Sequence, residues 1–278
     1  MEGPCRMTSA PPAGDVVLVT GASSGIGQAT ARLFAERGAR VFGTSRRARP
    51  DGAGVEMLQL DLRSAESVQH CADEVTARAG RIDVLVNNAG VMHEGFAEET
   101  TPAEAQAVFA TNFFGTTRLV HAVLPGMRAR RRGRVVNVGS LAAWVGEPGE
   151  AFYAASKAAL ARYTEALRHE VWHLGIRVTL VEPGVFTTDV LRAATTSKAA
   201  ITDYDGPRES ARHTLHQALR KGGDPREAAE LIWKAATTPM PRGRYGAGRE
   251  GFWVPRLRTL LPQRLFDTLL RRGYGLPR

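Results

Sequence analysis

The sequence predicts a single doubly wound α/β domain: a mainly parallel sheet with helices on both faces and a helical tail at the C-terminus. Three observations carry that expectation. Short β-branched apolar runs (Val16–Val19, Ile82–Val86, Arg134–Val138, Ile176–Val181) alternate with amphipathic helical stretches along most of the chain. Glycine- or asparagine-rich turns follow several of these runs, at the sheet edge where open α/β folds gather ligands. The 278 residues suffice for one large core, and no linker or internal repeat divides them.

The expected boundaries are a flexible lead-in over residues 1–14, with three prolines, a domain over 15–248, and a basic amphipathic tail over 249–278. Within the domain, the polar, irregular segment 189–223 is expected to cover a site as loop or helices. Only Cys5 and Cys71 are present, too few for a disulfide framework, and Cys71 shares a helical face with Val68 and Val75, as a core residue would. The N-terminus does not read as a secretory leader and no apolar run is long enough to span a bilayer, so the cytoplasm is the expected location. The net charge of +9 is local. From Pro241 onward nine arginines face Glu250 and Asp267, a net of +7, which leaves about +2 for the other 240 residues.

In order, Asp15–Thr20 reads as a strand that runs into Gly21-Ala-Ser-Ser-Gly-Ile-Gly27 and then a helix carrying Leu33, Phe34 and Ala35 on one side. Strand, glycine-rich turn and helix together form the context of a Rossmann-type dinucleotide site. Gly21 permits the tight turn, Gly25 the approach of backbone to pyrophosphate, and Gly27 close helix–strand packing. Ser23, Ser24 and Ile26 complete the loop, whose N–H groups receive phosphate. Strand 39–45 ends in Ser45, followed by Arg46 and Arg47. An acid at this place would hold the adenosine ribose hydroxyls of NAD, whereas an arginine pairs with a 2′-phosphate, so NADP(H) is expected. A third strand ends at Asp61-Leu62, and Ser64 caps a helix to about Ala79. A fourth strand, 82–86, ends in Asn87-Asn88-Ala89-Gly90. Thr101-Pro102 starts a helix to about Met127 with Asn112 near its middle.

The stretch Ser140–Lys157 carries the chemistry. Tyr153 and Lys157 are four apart in an alanine-rich helix, so phenol and ammonium share a face. Ser140 ends the preceding strand and can meet them in one cleft. Alone, such a Tyr/Lys pair is a common coincidence; its surroundings make it a candidate. Strand 176–181 then leads to Pro183-Gly184, Phe186 and Thr188. Asp224-Pro225 opens a helix to about Thr237, and 244–248 is a last short strand.

Taken together, Thr20–Gly27, Asp61, Asn87–Gly90, Asn112, Ser140, Tyr153-x-x-x-Lys157 and Pro183-Gly184 resemble the short-chain dehydrogenase/reductases, in order and spacing, across about Asp15 to Gly248. Gly139 departs from the serine often found there. The resemblance implies an NAD(P)-dependent oxidoreductase. In it Tyr153 acts as acid or base, Ser140 holds the carbonyl oxygen, Lys157 lowers the phenol's pKa and bonds the nicotinamide ribose, and Asn112 holds a water linked to Lys157. It further implies that Asn87 and Asn88 stabilise the sheet, that Asp61 holds the adenine, and that Thr188 holds the carboxamide. The broad group acting on lipophilic alcohols and ketones is the nearest in pattern. Met92, His93, Ala142, Trp144, Glu147, Phe152 and Phe186 are expected to shape a hydrophobic substrate pocket, and no metal site is expected.

The rival class is a nucleotide-binding regulator, or a nucleic-acid-associated protein acting through the basic tail. The former would be expected to have lost Tyr153 or Lys157, and leucines outnumber aromatics in the tail, so no nucleic-acid partner is expected. A homodimer or tetramer is expected through the helices 101–127 and 151–174, which carry Phe109, Phe113, Leu119, Leu160 and Leu167. In the tail, Leu265, Phe266, Leu269 and Leu270 share one face of a helix begun by Pro262. Its expected home is the rim of the substrate cleft, with an anionic membrane surface as the alternative.

Overall fold

The computed structural model describes residues 14–187 and 194–277. Most of the expected lead-in, Thr188 and the start of the covering segment therefore lie outside the described residues. Seven strands pair in the order β3–β2–β1–β4–β6–β7–β9, all parallel: β1 (Val16–Val19), β2 (Arg40–Ser45), β3 (Val55–Gln59), β4 (Val84–Asn87), β6 (Gly133–Val138), β7 (Ile176–Pro183) and β9 (Arg244–Ala247). Two short strands, β5 (His93–Glu94) and β8 (Thr195–Thr196), pair parallel beside the main sheet. The chain reverses its direction of travel between β1 and β4, and a crevice opens beyond their carboxyl ends.

Both faces of the sheet are covered, which is why its strands read as continuous apolar runs. Val16 and Leu18 face α2 (Ala65–Ala79), α4 (Thr116–Ala129) and α5 (Ala151–Glu170), while Val17 and Val19 face α1 (Gly25–Glu36) and the helix Pro225–Thr237. Leu18, Phe42, Leu85 and Ile232 are fully buried, each contributing about 1.5–3 kcal/mol. Helix starts follow local chemistry. The Ser64 hydroxyl accepts from Ser67 N at 3.1 Å, and Thr101 and Glu104 form a reciprocal capping box at the head of α3 (Pro102–Phe109).

Two expectations are corrected and two segments left open are filled in. The helix through Asn112 is not regular: a six-residue π-helical turn, Ala110–Gly115, joins α3 to α4. Such wide turns recur at functional sites. The segment 189–223, expected as loop or helices, contains α6 (Asp205–Arg220). On α6 only Ala211 is buried, so its apolar stripe is too thin to read in sequence. Buried carboxylates order it instead: Glu94 pairs with His216 (3.1 Å) and Arg212 (3.4 Å), and Glu99 accepts from Ile201 N at 2.8 Å and pairs with Arg208. After α7 (Pro225–Thr237) the basic stretch before Pro262 is a helix, α8 (Gly248–Leu260), followed by the expected α9 (Gln263–Gly273). Finally, Leu119, Leu160 and Leu167 belong to the core. The apolar face turned outward from these helices is Phe109, Phe113 and Phe114, with Tyr163 edge-on to Phe113. Among the described residues no helix is long and apolar enough to cross a membrane.

Candidate active site

A cleft of about 430 Å³ runs along the carboxyl edge of the sheet. Its floor at one end is the turn after β1. Gly21 and Gly25 adopt φ of +68° and +54°, which side chains resist. A Cβ on Gly27 would stand 2.3 Å from both Asn88 Nδ2 and Gly21 O, so only glycine lets α1 pack this closely. Thr20 ties the loops together: its hydroxyl accepts from Asn88 N (3.0 Å) and Ala89 N (2.9 Å), and its carbonyl accepts from Asn88 Nδ2 (3.0 Å). Gly21, Ser23, Ser24, Gly25 and Ile26 line the cleft, as do Asn88, Ala89 and Gly90. The amino end of α1 opens there with free N–H groups and partial positive charge. This cradle of glycines and helix end fits a dinucleotide pyrophosphate.

Farther along, Ser45, Arg46, Asp61 and Leu62 line the same cleft. The Ser45 hydroxyl donates to Arg47 O, so it is held by the chain itself. Asp61 accepts from Arg63 Nη2 at 2.7 Å, and that bond above all holds its carboxyl at about 2.

At the other end β6 delivers Ser140 and α5 delivers Tyr153 and Lys157, all lining the cleft. Lys157 donates to Val138 O at 3.0 Å, and its Nζ lies 5.9 Å from the Tyr153 ring centroid. The π-helical turn aims Asn112 at the loop after β4, where Oδ1 accepts from Val91 N (2.8 Å) and Nδ2 donates to Val91 O (2.9 Å) and Ser156 Oγ (3.0 Å). Asn112 thus braces this end without lining the cleft. A second buried chain, Asn87 Nδ2 to Asn137 Oδ1 and Asn137 Nδ2 to Thr164 Oγ1, each 2.9 Å, locks β4, β6 and α5 together. Asn137 was not singled out in the sequence.

The expected lowering of the phenol by Lys157 is not found within the protein's own groups. Desolvation pushes Tyr153 up to about 12, with Glu150 and Glu147 adding to the rise and a Ser140 hydrogen bond opposing it. Burial likewise pulls Lys157 down to about 8. Stripping water from each group is the largest cause of its shift.

The substrate end is only partly as expected. Met92, Ala142, Glu147, Pro183, Gly184 and Phe186 line the cleft. His93, Trp144 and Phe152 do not. Met92 and His93 are neighbours in an extended segment and point opposite ways. His93 is buried, with its ring nitrogens on Thr195 Oγ1 (2.9 Å) and Ser197 Oγ (3.1 Å), and burial lowers its pKa. Trp144 donates to buried Glu182 at 3.0 Å and lies under the Arg244 guanidinium. Missed in the sequence were Glu150, Leu215, Leu219, Glu250 and Val254, which also line the cleft. The spacing of Glu150 three before Tyr153, and of Leu215 four before Leu219, was the available signal.

Comparison with known proteins agrees with this geometry. A family model described as short chain dehydrogenase matches residues 15–199. The chain belongs to the short-chain dehydrogenase/reductase family. It is 37% identical over 269 residues to the 3-ketodihydrosphingosine reductase of Bacteroides thetaiotaomicron, covering 94% of this chain and 98% of that one. To the 3-oxoacyl-[acyl-carrier-protein] reductase of Vibrio cholerae it is 36% identical over 226 residues, 79% of this chain and 88% of that one. The crystal structure of a Streptomyces avermitilis short-chain dehydrogenase superposes with a TM-score of 0.78 at 36% identity, covering 94% and 95%. A Burkholderia phymatum family member in complex with NAD gives 0.78 at 26% identity, covering 95% and 98%. This family member is therefore an oxidoreductase, and NAD(P)(H) is its family's cofactor.

Proposed function

We propose that the protein reduces a ketone on a lipophilic small molecule with NADPH, and oxidises the corresponding alcohol in reverse. The observation that carries this reading is that Ser140, Tyr153 and Lys157 share one cleft with the glycine turn after β1. Both enzymes compared above are named as reductases of a 3-keto or 3-oxo group, and Met92, Val145, Leu215, Leu219 and Val254 give this cleft apolar walls.

The residues that would hold the cofactor are the 21–27 turn for pyrophosphate, Arg46 for the 2′-phosphate, and Lys157 for the nicotinamide ribose. When bound, the reduced nicotinamide supplies a hydride. Ser140 would hydrogen-bond the carbonyl oxygen and steady the charge that develops there. Tyr153 would hand its phenolic proton to that oxygen. A phenol at about 12 is fully protonated at neutral pH, the state a donor needs in the reducing direction. Running in reverse, the phenolate must form, and the charges of Lys157 and of oxidised nicotinamide would favour it.

For NADP(H) the support is Arg46 beside the cleft, Ser45 in the place of an acid, and Asp61 already paired with Arg63. Losing a charge-assisted bond to phosphate costs about ten- to a hundredfold in affinity. Assaying a panel of lipophilic ketones with NADPH and NADH, before and after Arg46→Ala, tests the reading. NADPH should lead for the unmodified protein and lose that lead in the variant; equal kcat/KM for the two would remove the cofactor assignment. The outward face of Phe109, Phe113 and Phe114 supports self-association, which light scattering tests. A monomer of 30.1 kDa at micromolar concentration would contradict it.

A further inference from the structure

We propose that α8 and α9 carry a docking face for an anionic lipid surface, set beside the wall of the cleft. Such a face is separate from the catalytic groups and stands whichever ketone the cleft takes.

The first observation is where apolar surface is left uncovered. Among the described residues eight large apolar side chains are exposed, and six of them lie in these two helices: Phe252, Trp253, Leu257, Leu260, Leu265 and Leu269. Single exposed leucines are ordinary, whereas a concentration of this kind marks an interaction site. On α8, Trp253, Leu257 and Leu260 fall at i, i+4 and i+7 and make one stripe, with Leu260 78% and Trp253 59% exposed. On α9, Leu265 and Leu269 make a second stripe that Arg272 continues. The inner sides of both helices are already packed on the protein. Val254 lines the cleft, Phe266 and Leu270 are half-buried, and Tyr274 O accepts from Ser210 Oγ on α6 at 2.7 Å. Arg258 clips the helices to each other, donating to Gln263 Oε1 at 2.7 Å with its guanidinium 5.3 Å from the Phe266 ring centroid.

Charge selects the occupant of the outer side. Residues 249–278 hold seven arginines and two acids. Of the acids, Glu250 lines the cleft and Asp267 accepts from Gln263 Nε2 at 2.7 Å. Among the described residues no carboxylate pairs with Arg256, Arg258, Arg264, Arg271 or Arg272. Arg256 instead lies 3.6 Å over the Phe252 ring and donates to Phe252 O. Apolar side chains interleaved with arginines that no acid neutralises match acyl chains beneath anionic headgroups. Trp253 and the leucines enter the boundary while the guanidiniums reach phosphate. A second copy is a poorer match, because a two-fold contact would set this arginine-rich face against itself. A nucleic acid would meet the arginines and offer nothing to the leucines. Val254 follows Trp253 in the chain, so the stripe that meets lipid borders the wall of the cleft.

The test is cosedimentation of the full-length protein with vesicles of phosphatidylcholine alone, and of phosphatidylcholine with about 30% phosphatidylglycerol. The anionic vesicles should bind at least about tenfold more tightly, and raising salt from about 50 to about 500 mM should remove most of that gain. An arginine at such a surface is worth about fivefold, so Arg271→Gln with Arg272→Gln should weaken binding about tenfold or more. Trp253→Ser with Leu257→Ser and Leu260→Ser should weaken it by a similar factor. Unchanged NADPH affinity of each variant in lipid-free buffer shows that its fold is intact. Lipid brominated in the acyl chain should quench tryptophan fluorescence in the unmodified protein, and that quenching should be lost in Trp253→Phe. Every one of these readouts is taken without turnover, so it stands apart from the reductase reading. Binding that none of the substitutions alters, or equal binding to neutral vesicles, would overturn the proposal. So would a protein that stays in the supernatant with anionic vesicles, whether the arginines then retain a DNA duplex in a gel shift or the leucines hold a second copy in sedimentation velocity.

Discussion

At the nucleotide end of the cleft the wall is main chain. Seven consecutive residues, Gly21–Gly27, bring glycine backbone and the open end of α1 to one place, and Thr20 and Asn88 bolt it to the next loop. At the substrate end the wall is side chain, drawn from the 147–150 turn, α5, α6 and α8, segments up to about a hundred residues apart. The first end recognises what every dinucleotide shares, and backbone N–H groups suffice for that. The second must distinguish one carbonyl compound from another, which takes side-chain shape and charge. Substitutions should therefore act differently at the two ends.

The largest separation is expected from Tyr153→Phe. Removing the proton donor should lower kcat about 10²–10⁴-fold while NADPH affinity, measured by nucleotide fluorescence, stays within a few-fold. Retention of more than about a tenth of kcat would contradict the assignment. Gly27→Val reverses the pattern. Its side chain would collide with Asn88 and Gly21, so NADPH affinity should drop at least about tenfold and stability by about 1–3 kcal/mol. A variant that binds NADPH normally would show that this close approach is not what shapes the loop.

The pH profile sharpens the comparison with a smaller effect. Lys157, pulled down to about 8, is cationic below that pH and neutral above it, whereas Tyr153 at about 12 does not titrate in the working range. Reduction should then be level near neutrality and fall about tenfold between pH 7 and pH 9. A flat profile to pH 10 would mean that the ammonium is not required. Smallest is the effect of deleting residues 263–278. Tyr274 O accepts from Ser210 Oγ on α6 at 2.7 Å, so the tail helix steadies the cover rather than the chemistry. Substrate KM should rise a few-fold with NADPH affinity unchanged, and an unaltered KM would disconnect α9 from the site.

How much was legible follows the same division. The glycine turn, Ser140, Tyr153 and Lys157 declare themselves because their geometry is set by local spacing, and the parallel order of the strands follows from helices alternating with apolar runs. His93 and Trp144 were misplaced because each is claimed by a partner remote in sequence, Thr195 and Ser197 for one and Glu182 for the other. The segment holding α6 could be read only as loop or helices, because two buried carboxylates, Glu94 and Glu99, order the helix in place of an apolar stripe. Asn112 was found, but the π-helical turn that aims it was not, since one inserted residue per turn leaves no periodic trace. Composition also hid the fate of Leu119, Leu160 and Leu167, which fill the core and leave phenylalanines outside.

The central claim is that this cleft carries a hydride to a carbonyl carbon while Tyr153 protonates the oxygen. The most direct measurement is transfer of isotope from NADPH deuterated at the reactive carbon of the nicotinamide, to a ketone the protein reduces, read by mass spectrometry of the product. The account predicts one deuterium on the carbinol carbon of every product molecule, at a rate that collapses in Tyr153→Phe. Product free of label, or label arriving as fast in Tyr153→Phe as in the unmodified protein, would contradict it.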